Sequence, residues 1–287
     1  MITGTTKNIG VIGWPIMHSL SPAMQNAAID AAGLDAVYIA MPVAPEALKT
    51  TVPGLSSAGF LGWNVTIPHK TAIMELLDEI DEDAKRIGAV NTVVKRDGRL
   101  IGYNTDIIGF RDGLHEKNLQ LKDKHAVVLG AGGAARAILW CLVREGMSKI
   151  TIGVRTPAKA EALARELSSA VSIEVLEWNA DEMKTALKDA ALLVNTTPLG
   201  MFPKIDEMPP VDWDSLASDA MVYDIIYTPG ETKLLKEARE HGHETQNGVP
   251  MLVGQGAAAL TMWLGTEADR TAMRNALEDA LRQKENR

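Results

Sequence analysis

A lysine ends the segment NVTIPHK, residues 64–70, in a place where a cation is unusual. The apolar residues of the following run, KTAIMELLDEI (70–80), recur at helical spacing and predict a helix that begins at or just after Lys70. A helix N-terminus carries the positive end of the peptide dipoles and disfavours a cation. Lys70 is therefore a candidate for supplying positive charge or a proton to a reacting group, the alternative being a solvated lysine. Its neighbour His69 points elsewhere and is expected to be structural.

A predicted hairpin draws a carboxylate and two amides together. Asp97 and Gly98 lie between two β runs in AVNTVVKRDGRLIGYNTD (89–106), and this dipeptide is a strong signal for a two-residue hairpin loop. The resulting register places Asn91 opposite Asn104, with Asp106 just beyond that pair. Asp106 is a candidate site residue, and the alternative is a carboxylate that only caps a turn.

Two serines precede the first predicted helix, in HSLSPAMQNAA. Ser21 is expected to be the N-cap and Pro22 the first helical residue. Capping does not account for Ser19. Together the two serines could present hydroxyls to a carboxylate near a helix N-terminus.

A glycine-rich turn, GAGGAA (130–135), follows a predicted strand and opens a predicted helix. Its pattern fits the dinucleotide-binding fingerprint. Gly130 permits the tight turn, Gly132 lets the backbone approach a pyrophosphate, and Ala135 allows close packing of helix on strand. The helix N-terminus offers N–H donors to the phosphates. The alternative, a merely tight turn, is disfavoured because both flanking elements are present.

The end of the next strand indicates which dinucleotide binds. An NAD site expects an acidic residue there to hold the ribose hydroxyls, whereas a 2′-phosphate needs a cation. The sequence reads GVRTPAKAEA (153–162) and supplies Arg155, Thr156 and Lys159 instead. A solvated basic turn is the alternative. We expect NADP rather than NAD.

The order of elements predicts an α/β protein of two domains. The first third alternates strands and helices, as in βαβ units with a mostly parallel sheet, and a second α/β unit of Rossmann type begins near Lys124. Two helices follow Gly248, and no strand is expected after them. The expected domains are 1–107 for substrate and catalysis, 108–247 for the dinucleotide, and 248–287 as helices packing back on the first domain.

The composition excludes several classes of function. The net charge of −8 and scattered basic residues argue against a nucleic-acid partner. The N-terminal stretch is unlike a signal peptide, and apolar runs are too short to cross a bilayer, so no membrane partner is expected. Cys141 is the only cysteine, which suits a reducing cytoplasm, and its apolar surroundings predict a core residue. No ligand pattern for a metal is visible.

Seven segments resemble, in order and spacing, those of the shikimate dehydrogenase family: HSLSP, NVTIPHK, GAVNT, GYNTD, GAGGAARA, NTTPLGM and GVPMLVGQG. The resemblance runs from Ile9 to about Trp263. It implies reversible NADP-linked reduction of 3-dehydroshikimate to shikimate, in aromatic amino-acid biosynthesis. Assembly is expected to be a monomer or a homodimer.

The resemblance also implies roles for individual residues. Lys70 and Asp106 would be the catalytic pair, with Lys70 giving its proton during reduction and Asp106 orienting it. Ser19 and Ser21 would hold the substrate carboxylate. The other implied substrate contacts are Thr66, Asn91, Tyr227 and Gln255. The expected cofactor contacts are Gly130, Ala131, Gly132, Gly133, Ala134, Arg155, Thr156, Lys159, Thr196, Gly248 and Met251.

Two positions bear on specificity within that family. Val154 precedes Arg155 where NADP-using members usually have asparagine, while the arginine and threonine are kept. Ser21 is retained where quinate-active relatives often differ, which favours shikimate. The alternatives are a quinate or dual quinate/shikimate dehydrogenase using NAD, or a cofactor-binding regulatory protein without turnover.

Overall fold

The computed structural model describes residues 2–168 and 171–285, apart from the side chains of Lys159 and Glu285. The chain divides into two compact units, Met1–Gly109 with Val253–Arg287, and Phe110–Leu252. The domain boundaries expected from the sequence, after residues 107 and 247, differ from these by a few residues. Within the described residues, no helix combines the length and apolarity needed to cross a membrane.

The N-terminal part of the first unit alternates short strands and helices. Its elements in chain order are β1 (Lys7–Gly13), α1 (Ser21–Ala31), β2 (Ala36–Pro42), α2 (Leu48–Ser57), β3 (Gly62–Val65), β4 (Glu79–Ile80), α3 (Glu82–Ile87), β5 (Thr92–Arg96), β6 (Arg99–Tyr103) and α4 (Asp106–His115).

The second unit continues the alternation, and two helices end the chain. The remaining elements are β7 (His125–Leu129), α5 (Gly133–Arg144), β8 (Lys149–Val154), α6 (Pro157–Leu167), β9 (Ser172–Glu177), α7 (Asp181–Lys188), β10 (Ala190–Asn195), β11 (Met221–Asp224), α8 (Lys233–Glu240), β12 (Thr245–Gln246), α9 (Val249–Leu264) and α10 (Arg270–Glu285).

Each unit is built on one six-stranded sheet, counted over the described residues. The first has the order β2-β1-β3-β5-β6-β4, with β5 antiparallel to both its neighbours and the other pairs parallel. The second has the order β12-β11-β10-β7-β8-β9 and is parallel throughout. The expected α/β class, with a Rossmann-type second sheet, is confirmed.

The predicted hairpin is confirmed. Arg96 pairs with Arg99 across a loop in which Asp97 and Gly98 have φ of +50° and +80°. Positive φ at both central residues is what a type I′ turn requires. The ladder ends at Thr92 opposite Tyr103, and the Asn91 amide donates to the same Tyr103 carbonyl over 3.0 Å. The pairing therefore shifts by one residue at this end, and the predicted pair of Asn91 with Asn104 does not form.

The helix predicted after Lys70 is wrong. The chain forms only a 3-10 turn, Ala72–Leu76, and then enters β4. Pairing with β6 prevails over helical periodicity, because Asp78 N–H donates to the Leu100 carbonyl and Asp78 Oδ2 accepts from the Leu100 amide. Ile73 still reaches the core. His69 is structural as expected, since it is buried with Nε2 2.7 Å from the Val43 carbonyl oxygen.

The core of the first unit depends on a close approach at Gly62. Trp263 donates its indole N–H to the Val93 carbonyl over 2.8 Å, bringing α9 against the sheet. A Cβ on Gly62 would overlap both the Val93 carbonyl oxygen and the Trp263 indole nitrogen. Only glycine leaves room for that hydrogen bond.

We expect Gly62→Ala to lower the free energy of unfolding by about 2–3 kcal/mol, because the new methyl group must displace backbone or indole. Urea unfolding followed by fluorescence measures this. Gly54→Ala in α2 is the matched control, since a Cβ there has no atom within 4 Å. It should raise stability by about 0.5–1 kcal/mol. Equal effects of the two substitutions would contradict the role assigned to Gly62.

Candidate active site

Lys70, Asn91 and Asp106 form one hydrogen-bonded cluster in the first unit. Lys70 Nζ lies 2.6 Å from Asp106 Oδ2, and Asn91 Nδ2 donates to Asp106 Oδ1 over 2.8 Å. The Lys70 side chain keeps 23% of its surface exposed and that of Asp106 keeps 11%. The pair is therefore largely withdrawn from water yet accessible. It places a cation and proton donor next to a fixed acceptor.

Backbone contacts hold both charged residues. The Lys70 carbonyl accepts from the Val90 amide over 2.8 Å, and Asn104 Oδ1 accepts from the Asp106 amide over 3.1 Å where α4 begins. Since a 3-10 turn, not an α-helix, follows Lys70, the helix-dipole argument for this lysine is wrong. The charged group in direct contact with Lys70 is the Asp106 carboxylate.

A buried polar network lies behind the cluster. Tyr38 donates to Asn64 Oδ1 over 2.7 Å, and Asn64 Nδ2 donates to Thr92 Oγ1 over 3.0 Å. Thr92 donates to Asn91 Oδ1 over 3.0 Å, and the same oxygen accepts from the Thr105 amide over 2.7 Å. These bonds determine the orientation of the Asn91 amide. Sequence reasoning missed Asn64 and Thr92, although a polar residue within the apolar strand GWNV was a usable signal.

The two serines lie together, but not as predicted. The N-cap of α1 is Leu20 and makes no side-chain cap, while Ser21 is the first helical residue, so the assignment of Ser21 as N-cap is wrong. Ser19 Oγ accepts from the Ser21 amide over 3.3 Å and takes over part of the capping. Burial raises the pKa of Tyr38, and a hydrogen bond from Ser21 opposes that rise. The Ser21 hydroxyl is therefore at the edge of the buried network.

Thr66 and Gln255 belong to the same unit but to other elements. The Thr66 amide, just after β3, donates to the Ile12 carbonyl over 3.0 Å. A Cβ on Gly13 would lie 2.5 Å from the Thr66 methyl group, so glycine admits this threonine. Gln255 lies on α9, which is tied to α1 through Gln25 Nε2 and the Gly256 carbonyl at 3.0 Å.

In the second unit, the glycine-rich turn follows β7 as predicted. Gly130 has φ of +107°, and a Cβ there would lie 2.6 Å from Thr196 Oγ1, so both conformation and packing require glycine. Thr196 donates its hydroxyl to the Leu129 carbonyl over 2.8 Å. The turn and the NTTPLGM segment therefore meet at the carboxyl end of the sheet.

The glycines of the turn leave space for a ligand. A Cβ on Gly132 or Gly133 would have no atom within 4 Å. Gly132 is the N-cap of α5 and has no side chain with which to cap it, so the first N–H groups of this 12-residue helix have no intrahelical or N-cap side-chain partner. This cradle fits the pyrophosphate of a dinucleotide.

The expected 2′-phosphate residues follow β8. Thr156 is the N-cap of α6 and its hydroxyl makes no cap hydrogen bond. Arg155 is exposed and makes no ion pair with any residue that the structure describes. Both side chains are free to bind an anion, which fits NADP. The side chain of Lys159 lies outside the described residues.

The remaining expected contacts of this unit lie on later loops. Gly248 donates its amide to the Ile226 carbonyl over 2.9 Å, and a Cβ on it would overlap the Ile225 carbonyl oxygen. Packing therefore accounts for this glycine. Met251 is buried. Burial of the Tyr227 hydroxyl raises its pKa.

Two predictions about other side chains bear on the kind of chemistry. Cys141 is a core residue as predicted, and burial raises the pKa of its thiol to about 12. Among the described residues, no group of three or more His, Cys, Asp or Glu side chains could hold a metal ion.

Comparison with known proteins identifies the family of the chain. Residues 11–93 match the model of the shikimate dehydrogenase substrate binding domain, 113–199 that of shikimate/quinate 5-dehydrogenase, and 248–278 that of the shikimate 5′-dehydrogenase C-terminal domain. The NADP(+) shikimate dehydrogenase of Methanocaldococcus jannaschii is 46% identical over 98% of this chain and 99% of its own. The chain belongs to the shikimate dehydrogenase family.

Solved structures of shikimate dehydrogenases have the same fold. A shikimate dehydrogenase in complex with NADP+ is 46% identical, with a TM-score of 0.91 over 98% of each chain. The shikimate 5-dehydrogenase of Thermus thermophilus, in complex with NADP(H) and shikimate, is 36% identical, with a TM-score of 0.87 over 96% of this chain and 100% of that one.

In this shikimate dehydrogenase family member, a buried carboxylate joins two loops of the second unit. Asp224 Oδ1 accepts from Asn195 Nδ2 and from the Ile226 amide, each over 3.1 Å, and Oδ2 accepts from Thr232 over 2.7 Å. Asn195 Oδ1 in turn accepts from the Thr197 amide over 2.9 Å. Burial, the largest effect, raises the pKa of Asp224 to about 6 in spite of these hydrogen bonds. Sequence reasoning missed this residue.

The raised pKa makes Asp224 a source of pH-dependent stability. From about pH 4 to 6 the folded chain keeps a proton that the unfolded chain has released, so the group's contribution is full below about pH 4 and falls as the pH rises through 6. We expect Asp224→Asn, which stays neutral and can still bond all three partners, to remove this loss. The difference in unfolding free energy between the two proteins, wild type minus variant, should fall by about 2–3 kcal/mol between pH 4 and 7. Urea unfolding across that range measures it, and a constant difference would contradict the assignment.

Proposed function

We propose that the chain catalyses the reversible NADPH-dependent reduction of 3-dehydroshikimate to shikimate, in chorismate and aromatic amino-acid biosynthesis. The observation that carries the proposal is the Lys70 and Asp106 pair, 2.6 Å apart. It occurs in a chain that is 46% identical over nearly its whole length to an NADP(+) shikimate dehydrogenase. The pair supplies what ketone reduction needs, a proton donor and a fixed carboxylate.

The second unit holds the cofactor in this proposal. When bound, NADPH supplies the hydride that reduces the substrate carbonyl. The glycine turn and the N-terminus of α5 hold the pyrophosphate, while Arg155 and Thr156 bind the 2′-phosphate. The other residues that we assign to this cofactor are Ala131, Ala134, Lys159, Thr196, Gly248 and Met251.

Lys70 moves the proton. Reduction of a ketone leaves negative charge on the carbonyl oxygen, and the Lys70 ammonium both stabilises that charge and transfers a proton to the oxygen. In the oxidative direction the neutral amine takes the proton from the C3 hydroxyl of shikimate. Its exposed fraction of 23% leaves Nζ accessible to substrate and then to water, from which it is reprotonated.

Asp106 orients Lys70 and accepts a hydrogen bond from an adjacent substrate hydroxyl. The hydrogen bond from Asn91 holds the carboxylate in one rotamer, so that Lys70 meets a fixed partner. Ser19 and Ser21 bind the substrate carboxylate, and the other contacts are assigned to Thr66, Asn91, Tyr227 and Gln255.

A four-way assay tests the function. Nicotinamide reduction is followed with shikimate and with quinate, each against NADP and NAD. We expect efficient turnover with shikimate and NADP, because Arg155 and Thr156 suit the 2′-phosphate and Ser21 is retained. Activity confined to quinate and NAD would overturn the specificity. Absence of activity with every pair would favour a cofactor-binding regulatory protein.

Lys70→Met should lower turnover about 10²–10⁴-fold, because the ammonium acts mainly on the developing charge. The KM for shikimate should change by less than about threefold, as expected when an interaction belongs to the transition state. Steady-state kinetics in both directions measure the two constants. Near-normal turnover would disprove the assignment of Lys70.

Asp106→Asn distinguishes a catalytic carboxylate from a helix cap. The amide nitrogen of an asparagine would face either Lys70 Nζ or Asn91 Nδ2, which are both donors, so the cluster loses one hydrogen bond. We expect a large loss of turnover with little change in thermal unfolding. A variant that keeps turnover would show that Asp106 only caps α4.

We also infer a cytoplasmic location and a monomeric or homodimeric state. The single buried cysteine suits a reducing compartment. Every residue assigned above comes from one chain, so a monomer would contain the whole set. Light scattering coupled to size-exclusion chromatography distinguishes the two states.

A further inference from the structure

Arg155 lies against an aromatic ring to which no sequence pattern connects it. The guanidinium carbon is 5.7 Å from the centroid of the Trp178 ring, within the range of cation–π attraction. The two residues follow neighbouring parallel strands, since Val154 at the end of β8 pairs with Glu177 at the end of β9. The Trp178 amide donates to the Val154 carbonyl over 3.0 Å and fixes this juxtaposition.

The Trp178 ring packs against the core of the second unit. It packs on the core cluster that contains Leu129 and Met183. A Cβ on Gly153 would lie 3.4 Å from Trp178 Cδ1, an ordinary van der Waals distance, so the ring lies directly beside β8. The buried indole Nε1 has no hydrogen-bond partner among the described residues. Trp178 therefore contributes through its ring surface and forms a fixed platform.

Arg155 uses none of its N–H donors within the described chain. Some arginines of the described chain are paired with carboxylates, as Arg99 is with Glu79 and Arg136 with Glu166, and Arg155 is among those that are not. Val154 is buried and apolar, and offers Arg155 no side-chain hydrogen bond. The cation–π contact with Trp178 restrains the guanidinium without occupying its N–H donors, which remain available to a phosphate.

We propose that Trp178 is a positioning residue for NADP specificity, which restrains the Arg155 guanidinium over its ring and keeps the N–H groups available to the 2′-phosphate. This rests on the cofactor assignment of the proposed function. Restraining the side chain before binding removes part of the ordering cost of engaging the phosphate. NAD has no 2′-phosphate and gains nothing from the restraint. The contact therefore changes the preference between cofactors rather than cofactor binding in general.

The test measures dissociation constants for NADP and NAD by titration calorimetry, together with kcat/KM for each cofactor. We expect Trp178→Leu to weaken NADP binding about two- to fivefold and leave NAD binding unchanged. Trp178→Phe keeps an aromatic face and should retain most of the preference. Equal losses with both cofactors would reduce Trp178 to a core residue and overturn the proposal.

Two controls separate this effect from general damage. Trp213→Leu removes another partly buried tryptophan from the same core cluster, away from Arg155, and should not change the ratio of the two dissociation constants. In an Arg155→Ala background, Trp178→Leu should have no further effect on that ratio, since its action passes through the guanidinium. An additive effect there would also overturn the proposal. Binding is measured without turnover, so an inactive wild-type protein would refute the proposed function while leaving this inference testable.

Discussion

The ion pair between Lys70 and Asp106 is the contact on which the chemistry proposed for the first unit depends. Two charges mostly removed from water persist only if their remaining hydrogen-bonding capacity is satisfied. Asn91 satisfies one carboxylate oxygen, and its own oxygen is saturated by Thr105 and Thr92. The β5–β6 hairpin brings together the two strand ends that carry Asn91 and Asp106. Backbone pairing as well as side-chain hydrogen bonds therefore brings this pair together.

The second unit differs from the first, because the cofactor site proposed for it needs backbone N–H donors that no other group of the protein uses. Gly132 and Gly133 keep side chains away from the N-terminus of α5, while Gly130 lets the turn close against Thr196. The buried carboxylate of Asp224 joins the loops that follow β10 and β11, because it accepts hydrogen bonds from Asn195 and from Thr232. An almost fully buried carboxylate tolerates this position because three donors converge on it.

Local sequence signals predicted what local physics determines. A two-residue hairpin turn requires positive φ at both central positions, which Asp97 and Gly98 tolerate, so the hairpin and the placing of Asn91 near Asp106 followed from this dipeptide. The helix after Lys70 failed because the pairing of β4 with β6 joins segments far apart in sequence, which periodicity does not report. Partners such as the buried Asn64 and the partly buried Trp178 were missed for the same reason, since their role depends on which strand lies beside them. The functional assignments of the site residues themselves stay predictions.

Loss of the helix-dipole explanation changes what Asp106 must do. Lys70 does not begin an α-helix of its own, so in the proposed mechanism the Asp106 carboxylate both holds the lysine and accepts a hydrogen bond from a substrate hydroxyl. A carboxylate has about four acceptor sites. Lys70 uses one on Oδ2 and Asn91 uses one on Oδ1, so each oxygen keeps a lone pair. The hydroxyl can then bind without displacing the lysine, and the hydrogen bond from Lys70 to Oδ2 that positions the proton donor is kept while another Nζ proton moves to the substrate.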